Sequence, residues 1–413
     1  MQDQTENLSY PKNNIKILLL EGIHPTAIKN FTDHEFTNIE THDEAWSEEQ
    51  LLQGIEDAHV IGIRSKTQIT PQVLDKAAKL KAIGCFCIGT NQVHLNAAIQ
   101  SGVAVFNSPY SNTRSVAELV IAESIMLMRR IPLRDKKAHE GIWLKDANES
   151  YEVRGKKIGI IGYGHIGSQV SVLAENMGLD VLFYDIEPKL PMGNATRVGS
   201  LNELFERSDI ITLHVPATHQ THMMIGSEQL SKMKDRSILL NLSRGTVVDL
   251  DALKNALESG HISGAAIDVY PEEPESKGES FKSVLQHLPN VILTPHIGGS
   301  TQEAQYNIGL DVSTKLIQFI DSGTSVGSHS VPPLNLPKQN DAHRILHIHA
   351  NKPGVLSEIN KVLSDMNINI LGQYLKTNEQ IGYVVLDINK QYDDRLFDGL
   401  NSVNHTIKTR MLY

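Results

Sequence analysis

The chain has 413 residues, 40% of them hydrophobic and 21% charged, which is near the globular norm and long enough for about two or three domains. A formal net charge of -10 argues against nucleic acid or an anionic membrane as a partner, since either would call for a basic face. No apolar run is long enough to span a bilayer. Met1–Asn14 is polar and lacks the apolar centre of a secretion signal, so the cytoplasm is the expected compartment.

Ile15–Leu20, His59–Arg64 and Leu80–Ile83 are short apolar runs separated by helical stretches such as Pro71–Ala78, the alternation of an α/β domain with a parallel sheet. The two cysteines, Cys85 and Cys87, stand two apart on an expected strand and face one side. That placement is poor for a mutual disulfide, and two buried thiols with no metal site are expected. Asn107–Asn112 is turn-rich, and Thr113–Arg130 reads as one long helix.

A second α/β series starts at Lys157, with strands expected at Lys157–Ile161, Asp180–Tyr184, Ile210–His214, Ser237–Asn241, Gly264–Ile267 and Val291–Thr294. A helix over Thr301–Ile320 leads back out, as it would if the second domain interrupts the first. Asp321–Asp341 is rich in Ser, Gly and Pro and reads as a linker. Strands at Ile345–His349, Ile368–Lys376, Ile381–Asn389 and His405–Leu412, with helices at Pro353–Met366 and Asp394–Val403, complete a ferredoxin-like β-α-β-β-α-β order.

The strand Lys157–Ile161 runs into Gly162-Tyr163-Gly164-His165-Ile166-Gly167, with a helix expected from about Ser168. The first glycine permits the tight turn, the second lets a pyrophosphate approach the backbone, and the third lets the helix pack on the strand. A second strand ends at Tyr184-Asp185, with seventeen residues between Gly167 and Asp185. A carboxylate there accepts the ribose hydroxyls and repels a 2'-phosphate, which favours NAD over NADP. The bland alternative, a packing turn with a solvated acid, must explain strand, glycines, helix and acid all in register.

Three ionisable residues follow strands of the same domain, where open parallel sheets bind ligands. Arg244 follows Ser237–Asn241, Glu273 lies beyond Gly264–Ile267, and His296 lies beyond Val291–Thr294. Removing a hydroxyl proton while hydride leaves the adjacent carbon suits a histidine. A carboxylate beside it would fix its tautomer, and a guanidinium would hold a substrate carboxylate. Each alone reads as a loop histidine or a surface charge; their co-occurrence at three strand ends points to chemistry.

These segments, with Ile63-Arg64-Ser65, Ile83–Asn91 and Ser111–Glu118, resemble the D-isomer-specific 2-hydroxyacid dehydrogenases. Within them the chain is similar to the branch that acts on 3-phosphoglycerate and carries a carboxy-terminal ACT domain. The resemblance implies Arg244 as substrate binder, His296 as acid/base and Glu273 as its partner. It implies NAD contacts at Gly162, Gly164, His165, Ile166, Gly167, Asp185, His214, Leu242, Ser243, Arg244, Asp268, His296, Gly298 and Gly299. Substrate would sit against Arg64, Ser65, Asn112 and Arg244. His349, Asn351, Gly354 and Asn369 would hold L-serine as an effector, although Asn351 could instead cap the helix after it.

The expected organisation is a substrate domain from 11–111 and 300–336, an NAD-binding Rossmann domain over 112–299 and a ferredoxin-like ACT domain over 341–413. The expected fold is thus α/β, with the Rossmann-like domain inserted into a flavodoxin-like one. By resemblance the reaction is oxidation of 3-phospho-D-glycerate to 3-phosphohydroxypyruvate in L-serine biosynthesis, with activity on 2-oxoglutarate also allowed, in a homo-oligomer expected to be a tetramer. Alternatives are another D-2-hydroxyacid dehydrogenase or an NADH-sensing binding protein. Two departures from the resemblance stand out. Gln339-Asn340-Asp341 lacks an adjacent glycine pair, and Asp43 stands where relatives carry a lysine, a contact that Lys66 or Lys145 could replace.

Overall fold

Short apolar strands alternating with side-chain-capped helices build the first sheet. The structure, a computed structural model, describes residues 11–274, 278–337, 342–389 and 394–412. It divides into one unit of Met1–Ser111 with Gln305–Tyr413 and another of Asn112–Ala304.

In the first unit, β1 (Ile17–Leu19), β2 (Ile39–Thr41), β3 (Val60–Ile63), β4 (Ala82–Cys85) and β5 (Ala104–Asn107) form a parallel sheet. Its order, β2-β1-β3-β4-β5, is the flavodoxin-like winding. All but β2 are buried along their whole length, as strands covered on both faces should be. Ser47 and Gln50 form a capping box at Glu48–Gly54, and Thr70 caps Pro71–Lys76, whose first residue is proline. Because β4 ends at Cys85, Cys87 lies beyond the strand: Cys85 is buried, Cys87 is only half-buried, and both are free thiols.

The second unit opens with the helix Thr113–Met128. The single expected helix to Arg130 stops there, because Arg130 turns left-handed and a separate helix, Ile131–His139, restarts with proline in its first turn. Its sheet contains β6 (Lys157–Ile161), β7 (Asp180–Tyr184), β8 (Thr196–Arg197), β9 (Ile210–Leu213), β10 (Ser237–Asn241), β11 (Ile262–Ile267) and β12 (Val291–Leu293). These run parallel in the order β12-β11-β10-β9-β6-β7-β8, the doubly wound Rossmann arrangement with one further strand.

The return helix, Gln302–Ser322, packs Val312, Leu316 and Phe319 under the first sheet. Residues 323–337 are not a loose linker. The His329 amide donates to the Val105 carbonyl at 2.8 Å, and the Val105 amide donates to Ser330 Oγ at 2.9 Å, so the segment lies along β5. The hinge position at Gln339-Asn340-Asp341 lies outside the described residues.

The last part of this unit is an antiparallel sheet of β13 (His343–Ala350), β14 (Ile370–Thr377), β15 (Ile381–Ile388) and β16 (Thr406–Met411), ordered β14-β15-β13-β16. Alternation along β13 and β15 divides its core. Ile345, Val384 and Leu386 pack on the helices Val355–Asp365 and Asp394–Asn401. Leu346, Ile348, Tyr383 and Val385 face the other way and share a core with Phe106, Leu316 and Phe319. Tyr383 and Arg344 seal that junction by donating to the carbonyls of Gly323 and Ser322 at 2.6 and 3.1 Å. Arg344 is itself buried and bidentate on Asp387, at 2.7 and 2.8 Å.

Candidate active site

The glycine turn after β6 has the shape that a pyrophosphate requires. Gly162 is left-handed at φ 91°, and a Cβ there would lie 2.3 Å from the His214 carbonyl oxygen. A Cβ on Gly167 would lie 2.1 Å from the Gly162 oxygen, whereas at Gly164 it would meet open space. The outer glycines are therefore needed for close backbone packing, and the middle one leaves room for a ligand. The helix begins at His165, not Ser168, so Ile166 and Gly167 belong to its first turn. Asp185, just past β7, accepts the Tyr163 amide at 2.7 Å and the Glu187 amide at 2.9 Å. This ties the acid to the glycine turn. His214 follows β9, and burial holds its imidazole down at about 3, so it is neutral. These residues fit a dinucleotide.

On the other half of the sheet His296 and Glu273, expected from the sequence to work as a pair, are in contact. His296 Nδ1 lies 2.8 Å from Glu273 Oε2, and Glu273 Oε1 accepts the Tyr270 amide at 3.0 Å. The hydrogen bond it donates to Glu273 raises the imidazole above its ordinary pKa, against the opposing effect of burial. Burial pushes the Glu273 carboxyl up, but the hydrogen bonds from His296 and Tyr270 outweigh it and leave it lowered. A carboxylate can only accept, so Nδ1 carries the proton and Nε2 is free to take one.

Arg244 follows β10, where Asn241 organises the turn by accepting from the Ser243 amide and hydroxyl and donating to the Arg244 carbonyl. Its guanidinium donates to the Ser243 carbonyl at 2.7 Å, and its charge bears on both Glu273 and His296. Leu242 and Ser243 are buried beneath this turn.

The loop carrying His296 is gathered by Asp268, which accepts the Thr294 hydroxyl at 2.7 Å and the Ile297 and Gly298 amides at 2.8 Å each. Within this frame His296 is held left-handed, at φ 54°. A Cβ on Gly299 would lie 2.4 Å from Asn112 Nδ2, so the glycine is needed for that approach. Composition gave no sign of Glu123, on the helix Thr113–Met128. It is 2% exposed, and burial together with Asp268 pushes its carboxyl up to about 8.

Arg64 and Ser65 lie just after β3 in the first unit, at the carboxyl end of its sheet. In the carboxy-terminal domain, His349 is buried with Nδ1 lacking any hydrogen-bond partner among the described residues. Asn351 does not cap the following helix. Its side chain donates to the Asn378 carbonyl at 2.7 Å, and Gly354, left-handed at φ 95°, occupies the capping position. Asn369 is exposed and pairs through its backbone with Asn389.

Residues 121–298 match the NAD binding domain of the D-isomer specific 2-hydroxyacid dehydrogenases, and residues 345–408 match an AHAS small subunit-like ACT domain. The chain is 51% identical to the D-3-phosphoglycerate dehydrogenase of Escherichia coli (strain K12) over 98% of its own length and 99% of the relative's. It is also 51% identical to the Dictyostelium discoideum protein of that name, over 98% and 99%. Among solved structures, a D-lactate dehydrogenase from Aquifex aeolicus complexed with NAD and lactic acid is similar with a TM-score of 0.66 and 26% identity. That similarity covers 77% of this chain and all of the other.

Proposed function

The chain belongs to the D-3-phosphoglycerate dehydrogenase branch of the D-isomer specific 2-hydroxyacid dehydrogenases, and from that premise we propose that it oxidises 3-phospho-D-glycerate to 3-phosphohydroxypyruvate, the first step of L-serine biosynthesis. The observation that carries the chemistry is the 2.8 Å contact between His296 and Glu273, with Arg244 close enough to act on both charges. NAD, when bound, supplies the hydride acceptor. His296 Nε2 takes the hydroxyl proton of the substrate, and Glu273 stabilises the imidazolium that results. Arg244 binds the substrate carboxylate and fixes the orientation of the reacting carbon. Arg64, with Ser65 beside it, reads the phosphate, which a chain of net charge -10 must meet with a local cation.

The carboxy-terminal domain acts as an L-serine sensor in this reading, supported by the buried Nδ1 of His349, which has no hydrogen-bond partner among the described residues, five residues before the left-handed Gly354. Assembly of copies is supported by Trp143, 85% exposed and flanked by exposed Ile142 and Leu144, and by β14, an edge strand with Leu371 and Leu375 outward. A homotetramer in the cytoplasm is the proposed working form. Among the described residues no helix is long and apolar enough to cross a membrane.

NADH formation at alkaline pH, compared among 3-phosphoglycerate, D-2-hydroxyglutarate and D-lactate, tests the proposal. Selective turnover of the phosphorylated acid supports it. Turnover of the others alone keeps a dehydrogenase and discards the pathway, and no turnover at all discards the enzyme. Serine added to the same assay should inhibit, and no inhibition up to millimolar levels removes the sensor role.

A further inference from the structure

The chain leaves β1 through two consecutive left-handed residues, Glu21 at φ 65° and Gly22 at φ 58°. Glycine adopts that conformation freely, but a glutamate there is strained, and such strain persists only where surrounding contacts enforce it. The Glu21 and Gly22 amides donate to the carbonyls of Glu44 and His42 at 3.1 and 3.0 Å. Held in this way, the Glu21 side chain turns inward and is 8% exposed.

Its carboxylate meets the loop after β3. Oε1 accepts the amides of Arg64 and Thr67 at 3.1 and 2.9 Å, and Oε2 accepts those of Ser65 and Lys66 at 3.1 Å each. Successive amides converging on one point form a nest that binds anions, and here the anion is the protein's own. The opposite side of the loop is also pinned, since Gln92 Nε2 donates to the Arg64 carbonyl. Arg64 Nη1 reaches back to the Glu21 carbonyl at 3.5 Å.

We infer that Glu21 is a positioning residue for substrate recognition: by filling the 64–67 amide ring from within, it makes the anionic substrate bind to the side chains that the loop projects and not to the loop's backbone. The inference rests on the reading that Arg64 contacts the substrate. An unfilled nest would hold phosphate with little regard for the rest of the molecule. A filled one presents Arg64 and Lys66 on a backbone already ordered before binding, which lowers the ordering cost of each encounter.

Glu21→Gln tests this, because its amide group places donors against donors in the ring. KM for 3-phosphoglycerate should rise about tenfold or more, with kcat within about twofold and NADH affinity unchanged, a pattern of lost substrate binding. Glu21→Asp, which keeps the charge on a shorter arm, should fall between. In an Arg64→Ala background Glu21→Gln should add little, since it acts through that loop. An unchanged KM, or a fall in kcat that merely tracks the folded fraction, overturns the inference.

Should Glu21→Gln not fold, amide exchange in the wild-type enzyme decides. The amides of residues 64–67 should exchange at least about tenfold slower than an open surface loop, and open-loop rates overturn the inference. If the wild type oxidises only an unphosphorylated acid, the same KM comparison on that acid tests Glu21 while the phosphate reading falls separately.

Discussion

Two loops, each at the carboxyl end of a parallel sheet, are held by a buried carboxylate in different ways. Asp268 gathers the His296 loop by accepting a hydroxyl and two amides from residues that flank His296, leaving the histidine to a second acid, Glu273. The Glu21 carboxylate takes all four amides of the 64–67 loop. The first arrangement fixes a loop while leaving its central residue free to exchange a proton. The second fixes a backbone completely, which suits a loop that only has to present charge. Rigidity thus follows what each loop must do, partial where a proton moves and complete where an ion is held.

The largest effect should come from removing the proton carrier. His296→Asn should lower kcat by about a hundredfold to ten-thousandfold while NADH affinity, read by fluorescence titration, stays near wild type. A comparable loss of NADH affinity would mean that the loop binds cofactor more than it does chemistry. Next, Asp268→Asn replaces an acceptor with a donor under the same loop and should cost about tenfold to a hundredfold in kcat/KM. If it leaves turnover unchanged, the contrast between a tethered and a filled loop fails.

The division of labour between Asp268 and Glu273 can be sharpened by pH. Oxidation needs His296 neutral, and Glu273 raises its pKa, so turnover falls as pH drops through that raised value. Glu273→Gln removes the partner charge and lowers the pKa. The acid limb of the kcat/KM profile should therefore move to lower pH, while the maximum rate also drops. An unmoved limb would assign the titration to another group.

The smallest effect concerns Glu123. Its carboxyl ordinarily titrates at 4.5 and is pushed up to about 8, so the folded state holds a proton that the unfolded chain has released. Stability is therefore lost as pH rises from the ordinary value through the raised one. Glu123→Gln should melt higher than wild type, with a gain that grows across that window. A gain independent of pH would show that the carboxyl is not the titrating group.

Much of this was legible in the sequence because chemistry demands particular residue types at strand ends. Gly162, Asp185, Arg244, Glu273 and His296 each follow a short apolar run, and the structure sets each at the carboxyl end of a parallel strand. The parallel pairing in both of these sheets follows from the same alternation of short apolar strands and helices. What was not legible depends on tertiary context. Nothing in the sequence around Glu21 marks it, and only folding brings residues 64–67, more than forty positions away, around it. The strand β2 has no apolar run because it lies at a half-exposed edge. The break at Arg130 is a backbone turn inside a pattern that looks continuously helical. Residues 323–337 have the composition of a linker, yet their hydroxyl and backbone groups pair with β5.

The most direct test of the account is kcat/KM for 3-phosphoglycerate against that for D-lactate, in wild type and in Arg64→Ala. The wild type should prefer the phosphorylated acid. The variant should lose about a hundredfold or more on it and far less on lactate, since a charge-assisted phosphate contact is absent from the smaller acid. Equal losses on both acids, or a wild-type preference for lactate, would contradict the claim that the 64–67 loop reads phosphate while the His296 loop does the chemistry.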